Sequence, residues 1–90
     1  MNQNSIKTKL PPIPENLSLI AGIVRRNWKN WNSAAGPHIA SMSRLNTIDD
    51  YDGKKSARDI VRYFLNNARS WRGKVADAVK AKLQEMTTAE

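Results

Sequence analysis

The chain has no cysteine among its 90 residues. That excludes disulfide staples and thiolate metal sites, and nothing in the sequence points to an oxidising compartment. Histidine is nearly absent as well, with His38 alone, so no cluster of imidazole ligands can form. No apolar run approaches the roughly 20 residues that span a bilayer, and the opening MNQNSIKTKL carries no hydrophobic signal segment. The expected location is therefore cytoplasmic, with no membrane partner. No nucleophile-elbow serine, phosphate-binding loop or dinucleotide fingerprint occurs. The expectation is a protein that is not an enzyme and takes no cofactor.

Acidic residues are also scarce. Eight Asp and Glu stand against fifteen Lys and Arg, a formal charge of +7, and an excess of that size favours polyanionic partners: nucleic acid or an acidic protein surface. Ninety residues with 40% hydrophobic composition allow one small domain whose limited core depends on good patterning.

Residues 1–14, MNQNSIKTKLPPIP, are polar and then proline-rich, with no helical or alternating period. They read as a flexible basic, proline-rich arm in which Lys7 and Lys9 are the charges available to a partner. Residues 15–88 read as a single helical domain. Leu17, Ile20, Ile23, Val24, Trp28 and Trp31 recur at the spacing of an amphipathic helix, with Pro14 placed at its first turn. Gly36 and Pro37 break that helix, and Ile39, Met42 and Leu45 suggest a short second one. The turn-rich NTIDDYDGKK follows. Ser56 and Asp59 frame a capping box for a third helix, whose apolar face is Ala57, Ile60, Val61, Phe64, Leu65 and Ala68. Ser70 is the expected cap of a fourth, carrying Trp71, Val75, Ala76, Val79, Leu83 and Met86, with Gly73 giving room for a close backbone approach. No stretch alternates well enough to be a strand. The expected fold is all-α: a small bundle of three principal helices plus one short helix.

VRRNWKNWN, residues 24–32, mixes two tryptophans with three basic residues, a composition suited to stacking on nucleic-acid bases. At about 100° per residue Trp31 falls on the apolar face with Ile20 and Val24. Trp28 falls at its edge, while Arg25, Arg26 and Lys29 point away. Trp31 is thus expected in the core with Phe64, Val61, Val79 and Leu83; Trp28 also reads first as a core residue, and is the tryptophan at which the contact reading survives.

The loop DDYDGKK resembles the start of a calcium loop, but twelve positions from Asp49 or Asp50 end at Ile60 or Val61 rather than at an acid. Turn formation is the better reading, and His38 is expected at a helix start on the surface. The most coherent charged pattern lies on the third helix. Lys55, Arg58, Arg62 and Arg69 project nearly opposite Phe64, a basic stripe whose residues look replaceable without touching the core. On the fourth helix Lys74, Lys80 and Lys82 scatter around the circumference. Arg72 reads as a structural residue over an aromatic ring or at helix-end carbonyls.

The segment DIVRYFLNNARSWRGKVADAVKAKLQEM, residues 59–86, resembles the C-terminal part of small helical proteins encoded by phages and prophages of proteobacteria, which share a YFL-N-A-x-WRG join between two helices. The resemblance implies a mobile-element origin and two classes of function, DNA-binding regulators and inhibitors of host proteins. It carries no catalytic residue. The first class would use Lys55, Arg58, Arg62 and Arg69, with Arg25, Arg26, Lys29 and Trp28, to hold nucleic acid without reading sequence, since no recognition helix presents base-reading residues. The second would use the same face on an acidic protein, with Trp28 or Tyr63 as the aromatic anchor.

Overall fold

A computed structural model of the chain describes residues 11–88. Residues 1–10, most of the expected arm, lie outside the described residues, so the reading of that arm finds no counterpart here. The described part is mostly helical, with helices α1 (Leu17–Asn27), α2 (Gly36–Met42), α3 (Ala57–Asn66) and α4 (Lys74–Thr88) and a pair of two-residue strands, β1 (Tyr51–Asp52) and β2 (Lys55–Ser56). Ile13, in the segment leading into α1, already packs against the core.

Helix α1 begins one turn later than Pro14 suggests, because Asn16 is the N-cap. Its side-chain oxygen accepts from the backbone N–H groups of Ser18 at 2.9 Å and Leu19 at 3.2 Å, satisfying two donors that the first turn leaves without partners. The helix also ends early. Asn27 turns its side-chain amide back to the Ile23 carbonyl at 2.8 Å, and Trp28 leaves helical geometry at φ −119°, ψ 90°. Asparagine competes in this way with the helical ladder, which makes it a natural terminator. Beyond Asn27 the helical projection no longer applies. Trp31 is accordingly 38% exposed, against the sequence expectation, while Trp28 is only 7% exposed.

Trp28 fills the centre of one end of the core. Its ring lies flat on Trp71, with centroids 5.6 Å apart and planes within 10°, and meets Phe64 edge-on at 6.3 Å. The Trp71 indole N–H donates to the Asn27 carbonyl at 3.4 Å, so the stack also closes the end of α1. With Trp28 enclosed, its role as a contact residue is corrected to a core one. Around it one cluster joins Leu17, Ile20, Val24, Ile39, Met42, Ile60, Val61, Phe64, Val79 and Leu83.

Contacts between neighbours close a ring in which α1 touches α2 and α4, and α3 touches the same two. The ends of the helices fix their directions. Leu17 N–H donates to the Asn46 carbonyl and Glu15 pairs with Lys82 at 3.2 Å, so α1 starts beside the C-terminal part of α4. Arg58, at the start of α3, reaches the Thr87 carbonyl at 2.9 Å. Helices α1 and α3 therefore run together and α4 runs against them.

The turn-rich segment contains strands that alternation in the sequence does not reveal, since two residues are too few to alternate. Tyr51 pairs with Ser56 and Asp52 with Lys55 in antiparallel register. Of the two turn residues only Gly53 has positive φ, +66°, the pattern of a type II′ hairpin turn with glycine first. Asp50 organises the preceding turn. One of its carboxylate oxygens accepts from the backbone N–H groups of Asn46 and Thr47, both at 2.9 Å, and these bonds hold its pKa below the ordinary aspartate value, the Thr47 bond contributing most. The Arg44 hydrogen bond does the same for Asp52. Both carboxyls bind protons less readily in the folded chain than in the unfolded one. The stability they contribute is present above about pH 4 and is lost as pH falls through their depressed values. Urea midpoints measured between pH 5 and pH 2 should fall, and Asp50→Asn should flatten that acid limb; an unchanged limb in the variant would remove Asp50 from the account.

The fourth helix starts at Lys74, not after Ser70. Gly73 takes φ 119°, a conformation other residues rarely adopt. A side chain there would meet nothing within 4 Å, so backbone geometry and not close packing demands the glycine. Its carbonyl accepts from the Asp77 N–H at 2.9 Å to begin the helix.

Candidate nucleic-acid interface

The third-helix stripe does not survive as four equivalent free cations. Arg58 has 30% of its side chain exposed and donates to the carbonyls of Met86 at 3.5 Å and Thr87 at 2.9 Å, with Asp49 3.5 Å away. It caps the C-terminal end of α4, where carbonyls lack helical donors and a cation is favoured. Arg62 pairs with Asp59 one turn earlier at 3.3 Å. Lys55 and Arg69 are exposed. The expectation that Arg58 is replaceable without structural cost is thus corrected: Arg58→Gln should destabilise the protein by about 1–3 kcal/mol, the range for charge-assisted hydrogen bonds with partly exposed donors. Denaturant unfolding checks it, and a change below about 0.3 kcal/mol would mean that the cap contributes nothing.

Unpaired positive charge gathers elsewhere, at the end of the molecule where α1 and α3 finish and α4 begins. Two cross-links bring the segments together: the Asn32 side chain donates to the Asn67 carbonyl at 2.9 Å, and Trp71 donates to Asn27. Asn32 also accepts from the Ala35 N–H at 2.8 Å. A shallow recess between them is lined by Asn32, Ser33, Asn66, Asn67, Arg69 and Ser70. Around this end Arg25, Arg26, Lys29, Arg69, Arg72 and Lys74 are all exposed. The described residues show no ion pair for any of the six.

Acids are sparse in the same region, although Asp77 stands in the first turn of α4. The sequence has none between Asn16 and Ile48 or between Ile60 and Ala76; the nearest are Asp59 and Asp77. The other described carboxylates sit towards the opposite end, where Glu15 and Glu85 flank Lys82, Asp49 faces Arg58 and Asp52 holds Arg44 at 2.7 Å. A cleft opens there too, lined by Glu15, Asn16, Asn46, Thr47, Ile48, Asp49, Glu85 and Met86, and its acids already have basic partners. Lys80, half-buried in α4, feels the charge of Asp77 more strongly than that of Arg72. Burial lowers its pKa, Asp77 opposes that shift and Arg72 adds to it, while its ammonium donates to the Trp71 carbonyl.

Trp31 stands within this basic end. The edge of its indole carrying Nε1 and Cδ1 lies beside Gly36, where an added Cβ would be 3.4 Å from Nε1, and 38% of the residue remains open. Arg72, expected over a ring or at helix-end carbonyls, is exposed and makes neither contact among the described residues. Sequence reasoning found Arg25, Arg26, Lys29 and Arg69 but left out Trp31, Arg72 and Lys74. The two acid-free runs, each containing tryptophan, were the signal that would have grouped them.

His38 packs its ring against Tyr63 at 5.6 Å, and burial followed by the nearby Lys55 charge lowers its pKa. Among the described residues no group of three His, Cys, Asp or Glu side chains is placed to hold a metal ion, and no helix is long and apolar enough to cross a membrane. Compared with protein-family models, with curated proteins and with solved structures, the chain has no match in any of the three.

Proposed function

We propose that the chain is a small phage-type accessory protein that binds nucleic acid without reading its sequence, through the basic end where α1 and α3 finish and α4 begins. The observation that carries this reading is the gathering of six exposed cations without carboxylate partners, beside Asn-rich loops suited to phosphate oxygens. Concentrating like charges costs folding free energy through repulsion, and an anionic ligand offsets that cost. Phosphate contacts position a protein on a backbone but carry no sequence information, and the polar groups at this end come from loops rather than from a helix presenting base-reading side chains. The resemblance at residues 59–86 supports a phage origin. The binding face differs from the third-helix stripe: Arg69 belongs to it, while Arg58 and Arg62 are engaged within the protein.

Affinity for an oligonucleotide measured across salt concentrations tests the reading. Four to six phosphate contacts should lower affinity by about 10²- to 10³-fold between 50 and 200 mM salt, with a slope of about −0.9 per contact on duplex. Binding that ignores salt, or none at 50 mM, sinks it. Nucleic-acid inertness together with salt-sensitive binding of an acidic protein would support the second reading, an acidic protein surface as the partner.

A further inference from the structure

The placement of Trp31 carries the reading further. A tryptophan with 38% of its surface open is commonplace on a mobile loop, but here both flanks are fixed. Trp28, three residues before it, is locked between Trp71 and Phe64. Asn32, immediately after it, is bonded on one side to Ala35 N–H and on the other to the Asn67 carbonyl. Gly36 supports one edge of the indole, leaving no Cβ between the ring and the start of α2. The ring is displayed from a short braced segment, so little conformational entropy remains to be lost when something stacks on it. Lys29, two positions away in the chain, and Arg69, on the segment that Asn32 tethers, are exposed cations of the same end.

We infer that Trp31 is a base-stacking residue, and that the ligand of the basic end is single-stranded nucleic acid in preference to duplex. The inference rests on the nucleic-acid reading above and adds the substrate class. Cations serve single strands and duplexes alike, because both offer phosphates. An aromatic face gains stacking only from a base that has left its own stack, which an unpaired strand provides readily and a duplex does not. Stacking is tolerant of base identity, since every base has a flat face, and this agrees with the absence of groups arranged to read sequence.

The full chain and two variants, Trp31→Ala and Trp31→Phe, should be titrated at fixed salt with oligo(dT) and with a hairpin duplex of equal phosphate number. Trp31→Ala should weaken oligo(dT) binding by about 5- to 100-fold, the range for removing one stacked base, and hairpin binding by less than about 2-fold. Trp31→Phe should keep most of the single-strand affinity, because phenylalanine retains a stacking face. Tryptophan fluorescence gives a second readout. Trp28 and Trp71 are 7% and 4% exposed, so quenching of the wild type by oligo(dT) should come from Trp31 and vanish in both variants. Circular dichroism and urea midpoints near the wild-type values establish that the variants fold. Equal losses on both ligands, or an unchanged oligo(dT) affinity in Trp31→Ala, overturn the stacking inference. In either case a steep salt slope in the wild type leaves the nucleic-acid reading standing. A wild-type chain that binds neither ligand overturns both.

Discussion

Alanine at Phe64 should cost the folded protein about 3–5 kcal/mol, the range for removing a fully buried aromatic ring. Phe64 has no exposed surface and its ring meets Trp28 edge-on at 6.3 Å, so the loss combines buried area, a cavity and an aromatic contact. Domains of this size commonly have about 5–13 kcal/mol in total, and the limited core has no disulfide to compensate. The urea midpoint should drop by at least about 1 M, and near-ultraviolet circular dichroism should lose the signal of the Trp28–Trp71 stack. Tyr63→Ala, on the same helix but 47% exposed, is the control and should change stability far less. A Phe64 variant as stable as that control would move the centre of the core elsewhere.

Neutralising the basic end should produce the largest functional change. Arg25, Lys29, Arg69, Arg72 and Lys74 can be replaced together by glutamine, which keeps helix propensity and removes the charge. The slope of log affinity against log salt should become shallower by about one unit for each phosphate that is no longer neutralised, and affinity at 50 mM salt should fall by at least about 10²-fold. Stability should move by less than about 1 kcal/mol, because two helix-end effects oppose each other. Arg25 lies in the last turn of α1, where a cation is favourable; Lys74 opens α4, where it is not. Relief of repulsion adds to the favourable side. Arg58→Gln should show the reverse pattern, with stability reduced and most binding kept. If the five-residue variant binds as the wild type does, the basic end is a solvated surface and no more.

The two variants also mark which features the sequence could supply. The face of α3 was legible because Ala57, Ile60, Val61 and Phe64 are strictly periodic and Ser56 caps the helix at once, accepting from the Asp59 N–H at 3.1 Å. Local chemistry and tertiary packing agree there. Trp31 was misplaced because helical projection assumes a helix, and the Asn27 side chain had already ended it. Arg58 looked free because its partners are carbonyls 28 and 29 residues away, invisible to any local pattern. Ser70 looked like a cap because serine favours that position, yet Gly73 takes the positive φ from which the helix begins. The basic end was seen only in pieces, since charges were weighed helix by helix while the site is assembled across loops by Asn32 and Trp71.

The crowding of unpaired cations towards one end, with most carboxylates towards the other, has a kinetic meaning. A protein whose charge is unevenly placed is turned by the potential of a polyanion before the surfaces meet, so the orientational search that slows most associations is partly completed during approach. At physiological salt that influence reaches about 8 Å, enough to act within the last few water layers. Diffusional arrival would then present Trp31 and the exposed cations of its end first, with the carboxylate-bearing end, where Glu15, Asp49 and Glu85 lie, trailing away from the phosphates.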